Sequence, residues 1–126
     1  VNVDIRWEND AKTIIRHTYS GEWDWKDFYD TLAQRSLELQ AGAGVTLFID
    51  LRGIPHFPSD MIFQLRDAAK LAEVTDELII VISNNAALIT LFNVFIRVYS
   101  RIGKRLRLVK NDDEAYALLN ISDKGS

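Results

Sequence analysis

The chain has 126 residues, 48% of them hydrophobic and 26% charged, which suits one globular domain of ordinary size. Its formal net charge of -3 gives no general attraction to nucleic acid or to an anionic membrane. It has no cysteine, which excludes disulfides and thiolate metal sites and agrees with a reducing, cytoplasmic setting.

The opening residues alternate, with Val3, Ile5 and Trp7 on one side and Asp4, Arg6 and Glu8 on the other. A period of two predicts a half-exposed strand. Asn9-Asp10 is a turn pair, and a second strand follows through Ile14, Ile15, Thr18 and Tyr19. So short a link predicts an antiparallel hairpin. Ser20-Gly21 ends it, and Asp24 is placed to cap a helix whose apolar face is Trp25, Phe28, Tyr29, Leu32, Ala33 and Leu37. That helix is expected to stop in the glycine-containing run 40–44.

Val45, Leu47, Ile49 and Leu51 then alternate with Thr46, Phe48 and Asp50, a run suited to a strand buried on both faces. Gly53 and Pro55 end it, and Ser59-Asp60 can open a helix with Met61, Ile62, Leu65, Ala68, Ala69 and Ala72 on one face. Leu78 to Ser83, LIIVIS, predicts another covered strand, and Asn84-Asn85 can cap the next helix. That helix, Ala86 to Ile102, is the most apolar in the chain, with a polar stripe only at Thr90, Asn93, Arg97 and Arg101. It is too short and too interrupted to span a bilayer. Leu106 to Lys110 predicts the last strand, and Asn111 with Glu114 predicts a capping box on the last helix.

The order β-β-α-β-α-β-α-β-α predicts an α/β domain over residues 1–122, with 123–126 as a tail. An N-terminal β-hairpin followed by β-α units implies a mixed, largely parallel sheet with right-handed crossovers. In such sheets ligands and partners bind at the carboxyl ends of the strands. Asp50, Arg52 and Ser59 gather at that end of the central strand.

No phosphate-binding glycine motif and no G-x-S-x-G elbow is present. His17 and His56 are the only histidines, and their spacing matches no metal or catalytic pattern. No cofactor is expected, and the chain reads as a non-enzyme. The acidic runs at Asp24, Asp27 and Asp30 and at Asp112, Asp113 and Glu114 read as helix starts. The basic group Arg97, Arg101, Lys104, Arg105 and Arg107 suits a helix C-terminus or an acidic partner. The apolar arc from Ala86 to Ile102 suits a central packed helix, a homodimer face or an apolar ligand. Ser59 reads as an N-cap or as a phosphorylation site.

Three stretches resemble the STAS superfamily, the small domains of anti-sigma factor antagonists and sulphate transporters. They are the apolar strand ending in Asp50 with its turn and Ser-capped helix, the LIIVIS strand with Asn84-Asn85, and the ending RLRLVKNDDEAYALL. The resemblance runs along nearly the whole chain and lies toward the branch likened to sporulation stage II antagonist AA and to the lipid-binding CRAL-TRIO/Sec14 fold. It implies a regulatory protein-binding domain whose partner is a kinase or an anti-sigma-like factor. The implied partner surface is Asp50, Arg52, Gly53, His56, Ser59 and Asp60, joined by Asn84 and Asn85. The family's antagonists carry an Asp-Ser/Thr-Ser-Gly-like motif after the central strand. The matching stretch here is Asp50-Leu51-Arg52-Gly53, which has no hydroxyl residue, and Ser59 is displaced along the turn. The alternative reading is a small-molecule or lipid-binding module beside the Ala86 to Ile102 helix.

Overall fold

The computed structural model describes residues 2–31, 45–57, 60, 78–98 and 106–125, with side chains described through residue 119 of the last helix. Its strands are β1 (Asn2–Trp7), β2 (Ile14–Ser20), β3 (Thr46–Gly53), β4 (Ile79–Ile82) and β5 (Leu106–Val109). They form one five-stranded sheet in chain order. β1 runs antiparallel to β2, and the other neighbours pair in parallel, as the hairpin and β-α pattern predict. Residues 25–31 are helical and are called α1, α2 is Ala86–Val98, and α3 is Asp112–Gly125. Ser59, the predicted helix after Asp60, and the predicted extensions at 32–37 and 99–102 lie outside the described residues.

The hairpin closes on Asn9, whose side-chain oxygen accepts the Thr13 amide at 3.0 Å. Strand periodicity then sorts the side chains onto two faces. One face carries Ile15, His17 and Tyr19 of β2, Leu47, Ile49 and Leu51 of β3, and Ile79 and Val81 of β4, all buried. Phe28 of α1 and Leu88, Phe92 and Phe95 of α2 join this cluster. The second face carries Phe48, Ile80, Ile82 and Val109, and there the packing comes from Ala115, Leu118 and Leu119 of α3. Both faces of β3 and β4 are therefore covered, which is why their sequences are apolar at nearly every position.

Each described helix starts on a side-chain cap. Asp24 accepts the Lys26 amide at 2.8 Å, and Asn85 accepts the Leu88 amide at 3.1 Å. Asn111 accepts the Glu114 amide at 2.9 Å, and Glu114 reaches back to the Lys110 amide at 2.8 Å. These contacts satisfy amides that a helix start otherwise leaves unpaired.

α2 buries Leu88, Phe92 and Phe95. On another side Val94 is 47% and Val98 66% exposed, so part of its apolar arc faces solvent. No helix among the described residues is long and apolar enough to cross a membrane.

Candidate functional site

The residues after β3 leave the sheet in a braced turn. The Ile54 amide donates to the Leu51 carbonyl at 3.1 Å, and the Gly21 amide donates to the Gly53 carbonyl at 3.2 Å. Ile54 is buried, whereas Gly53, Pro55 and His56 are exposed. Phe57 packs on Trp23, with ring centroids 6.0 Å apart, and Trp23 in turn contacts Tyr19, Trp25 and Phe28. This aromatic group ties the far end of the turn to the start of α1.

Gly53 is required at a close approach of β3 to β2. The pairing slips a residue between Thr18 and Ser20, and Ser20 then stands opposite Gly53. A Cβ on Gly53 would lie 2.8 Å from the Tyr19 carbonyl oxygen and 3.0 Å from the Ser20 Cβ. Backbone cannot yield as a side-chain tip can. Gly53→Ala is therefore expected to destabilise the protein by about 1–3 kcal/mol, the usual scale of overpacking, in urea denaturation.

The base of the turn is an ion network on the second face of the sheet. Arg16 follows Ile14 and Ile15 in β2, and its side chain is buried. It donates to Glu8 Oε1 from Nε at 2.7 Å and to Asp50 Oδ2 from Nη1 at 2.9 Å. Its Nη2 lies 3.1 Å from Asp112 Oδ1, and its guanidinium carbon lies 5.3 Å from the Phe48 ring centroid. Asp50 also holds Arg52, accepting from Nη2 at 2.7 Å, from Nε at 3.0 Å and from the Arg52 amide at 3.1 Å. Arg52 Nη2 donates to Asp112 Oδ1 at 3.0 Å. The Tyr116 hydroxyl donates to Glu8 Oε1 at 3.1 Å, and its ring stands edge-on to Phe48.

Strand register explains the meeting. Thr18 is opposite Asp50, and Arg16 is opposite Phe48, so Arg16 and Asp50 share a face as diagonal neighbours. Asp112 arrives from α3, which begins directly after the carboxyl end of β5.

The electrostatics follow from this packing. Burial pushes the Asp50 carboxyl up, but the Arg52 hydrogen bonds and the charges of Arg52 and Arg16 outweigh it and hold the carboxyl below its ordinary range. Burial likewise disfavours the Arg16 charge, and Glu8 and Asp112 reverse that, so the guanidinium is more firmly protonated than usual. The Asp50 hydrogen bond does the same for Arg52 despite partial burial. Burial, then the hydrogen bond to Glu8, raises the Tyr116 phenol.

The sequence-predicted residues thus divide. Asp50 is buried and faces inward to arginines. The Arg52 side chain is 34% exposed, and Gly53, His56 and Asp60 are exposed. Asn85 is used as a cap, with Asn84 exposed beside it. Ser59 lies outside the described residues. His17 is fully buried on the opposite face of the sheet, whereas His56 is exposed in the turn. Among the described residues no three His, Cys, Asp or Glu side chains are grouped to hold a metal ion.

Glu8, Arg16 and Tyr116 were not singled out by motif or spacing, and Asp112 was read only as part of an acidic helix start. The available signal was charge in the wrong place. Arg16 and Asp50 are opposite charges in two strands whose apolar patterns predict burial, and buried charges are found paired.

Compared with protein-family models and with curated proteins, the chain has no match. Among solved structures it is similar to the anti-sigma factor antagonist SpoIIAA in its unphosphorylated form, with a TM-score of 0.61. The match covers 94% of this chain and 96% of that one, at 13% sequence identity. The chain has the SpoIIAA fold. The STAS-like expectation for the architecture therefore holds over nearly the whole length. Within the SpoIIAA fold, Asp50 to Gly53 form the carboxyl end of the central strand, flanked on one side by β2 and on the other by β4, with the turn following. At this level of identity the likeness speaks for fold, and the residues of the turn are this chain's own.

Proposed function

We propose that this chain is a regulatory, non-enzymatic protein-interaction domain that binds its partner through the turn after β3. The observation that carries the reading is the presentation of Arg52. Its guanidinium is fixed by Asp50 and Asp112, yet a third of the side chain remains exposed next to Gly53, Pro55 and His56. A surface held rigid before binding loses little entropy on association. The SpoIIAA fold supports a regulatory role, since the solved relative is an anti-sigma factor antagonist. In this reading the domain acts in the cytoplasm, Asn84 extends the surface from the neighbouring strand end, and the partner is a kinase or an anti-sigma-like factor.

The test is site-specific photo-crosslinking in the native host. A photoreactive residue at His56 is expected to capture one discrete partner, and the same residue at exposed Lys26 on α1 is expected not to. Equal capture from both positions, or none from either, would remove the turn as the partner surface. Phosphate control adds a second arm to the same assay. Loss of capture with Ser59→Asp and retention with Ser59→Ala would make Ser59 a switch, while equal effects would leave it a helix cap.

A second reading attaches to α2. Exposed Val94 and Val98 support an apolar ligand or a second copy of the chain on that helix. Native mass spectrometry of gently purified protein separates the two, by a bound small molecule or by a dimer mass.

A further inference from the structure

We propose that α3 is a detachable latch, held to the sheet at its first turn by Asp112 and able to leave while the sheet stays folded. Three observations lead there. α3 is the described helix that packs on the second face, whereas α1 and α2 pack on the first. Along its described side chains, residues 112–119, its apolar hold is thin: only Ala115 is buried, with Leu118 and Leu119 partly so. To these the described side chains add the Tyr116 ring, edge-on to Phe48, and polar contacts at the helix start, from Asp112 to Arg16 and Arg52 and from Tyr116 to Glu8.

The two arginines do not depend on α3 for all their partners. Arg16 keeps Glu8 and Asp50, and Arg52 keeps Asp50, when Asp112 departs. The network therefore loses its outer carboxylate without stranding a buried charge, and the sheet has no electrostatic reason to unfold with the helix. The larger first-face core, from Ile15 and Tyr19 through Leu47 to Phe92, is untouched by the departure. What becomes uncovered is the apolar floor of Phe48, Ile80 and Ile82, all fully buried in the closed form. Local opening of this kind draws on elements with few buried apolar contacts. Because Asp112 is 44% exposed, its contacts are open to screening by salt.

Native-state hydrogen exchange on the full chain tests the latch. In the unsubstituted protein the α3 amides are expected to exchange at least about tenfold faster than those of β3 and β4, through an opening separate from global unfolding. Asp112→Asn is expected to speed α3 exchange by a further tenfold or so while leaving β3 and β4 unchanged, the scale of one lost charge-assisted contact. Asp113→Asn removes the same charge from the same helix turn and is the control for the helix dipole. It is expected to change α3 exchange by less than about threefold, the scale of an exposed charge near a helix end. Raising the salt is expected to act like Asp112→Asn. The latch is overturned if α3, β3 and β4 exchange together, if the two substitutions act equally, or if Asp112→Asn unfolds the whole domain.

Discussion

Replacing Arg16 with Met lowers the unfolding free energy by about 3–5 kcal/mol, the range for breaking a buried ion pair from one side. The size of the effect comes from what is left behind. Asp50 is buried and receives one hydrogen bond from Arg16 and the rest from Arg52, and Glu8 receives its closest contacts from Arg16. Met preserves much of the packing over Phe48, so the loss reports the charge. Arg16→Lys is expected to be intermediate. A single ammonium keeps the charge but cannot reproduce a planar fork that faces Glu8, Asp50 and Asp112 at once. Urea denaturation of the three proteins measures this. A loss for Arg16→Met within about 0.5 kcal/mol, as for an ordinary surface change, would mean that the network is not part of the folded protein in solution.

Acid weakens the fold through Asp50. Its carboxyl lies below the ordinary value of 3.8 in the folded protein, so the unfolded chain takes up that proton first as pH falls. The contribution is complete above the unfolded value and is lost as pH descends through the lower, folded value. Asp50→Asn lacks the charge at every pH. The stability gap between the two proteins is therefore expected to be largest above the ordinary carboxylate range and to shrink as pH falls below it. Unfolding free energies from urea titrations across that range give the gap directly. A gap that does not change with pH would show that the carboxylate charge contributes nothing in place.

The architecture was legible because its determinants are local. The alternation of Val3, Ile5 and Trp7 marks β1, and Asn9 closes the link to β2. LIIVIS needs cover on both sides, which a sheet between helices on opposite faces provides. Asp24, Asn85 and Asn111 act as caps, because the capping geometry involves only three or four residues of chain.

The site was less legible for the opposite reason. Arg16 and Asp50 are 34 residues apart, and Glu8 and Tyr116 are 108 apart. Motif spacing carries no information on such pairs. Strand register and the docking of α3 bring them together. Asp112 illustrates the ambiguity. As an acidic residue in a first helical turn it is fully explained by the dipole, and only the fold adds its contacts to Arg16 and Arg52. Asp50 was read as part of the partner surface at the end of the central strand, yet it is the buried foundation on which Arg52 stands. The position of Gly53 is a similar case. A glycine after a strand reads as a turn signal, whereas here close approach to Tyr19 and Ser20 demands it.

The central claim is that the turn after β3 is the partner surface. Hydrogen exchange of the chain with and without the partner captured through position 56 tests it most directly. The account predicts slowed exchange at residues 52–57 and at Asn84 and Asn85, with α1 unchanged. Protection confined to the exposed side of α2, around Val94 and Val98, would contradict it and place the interaction on that helix instead.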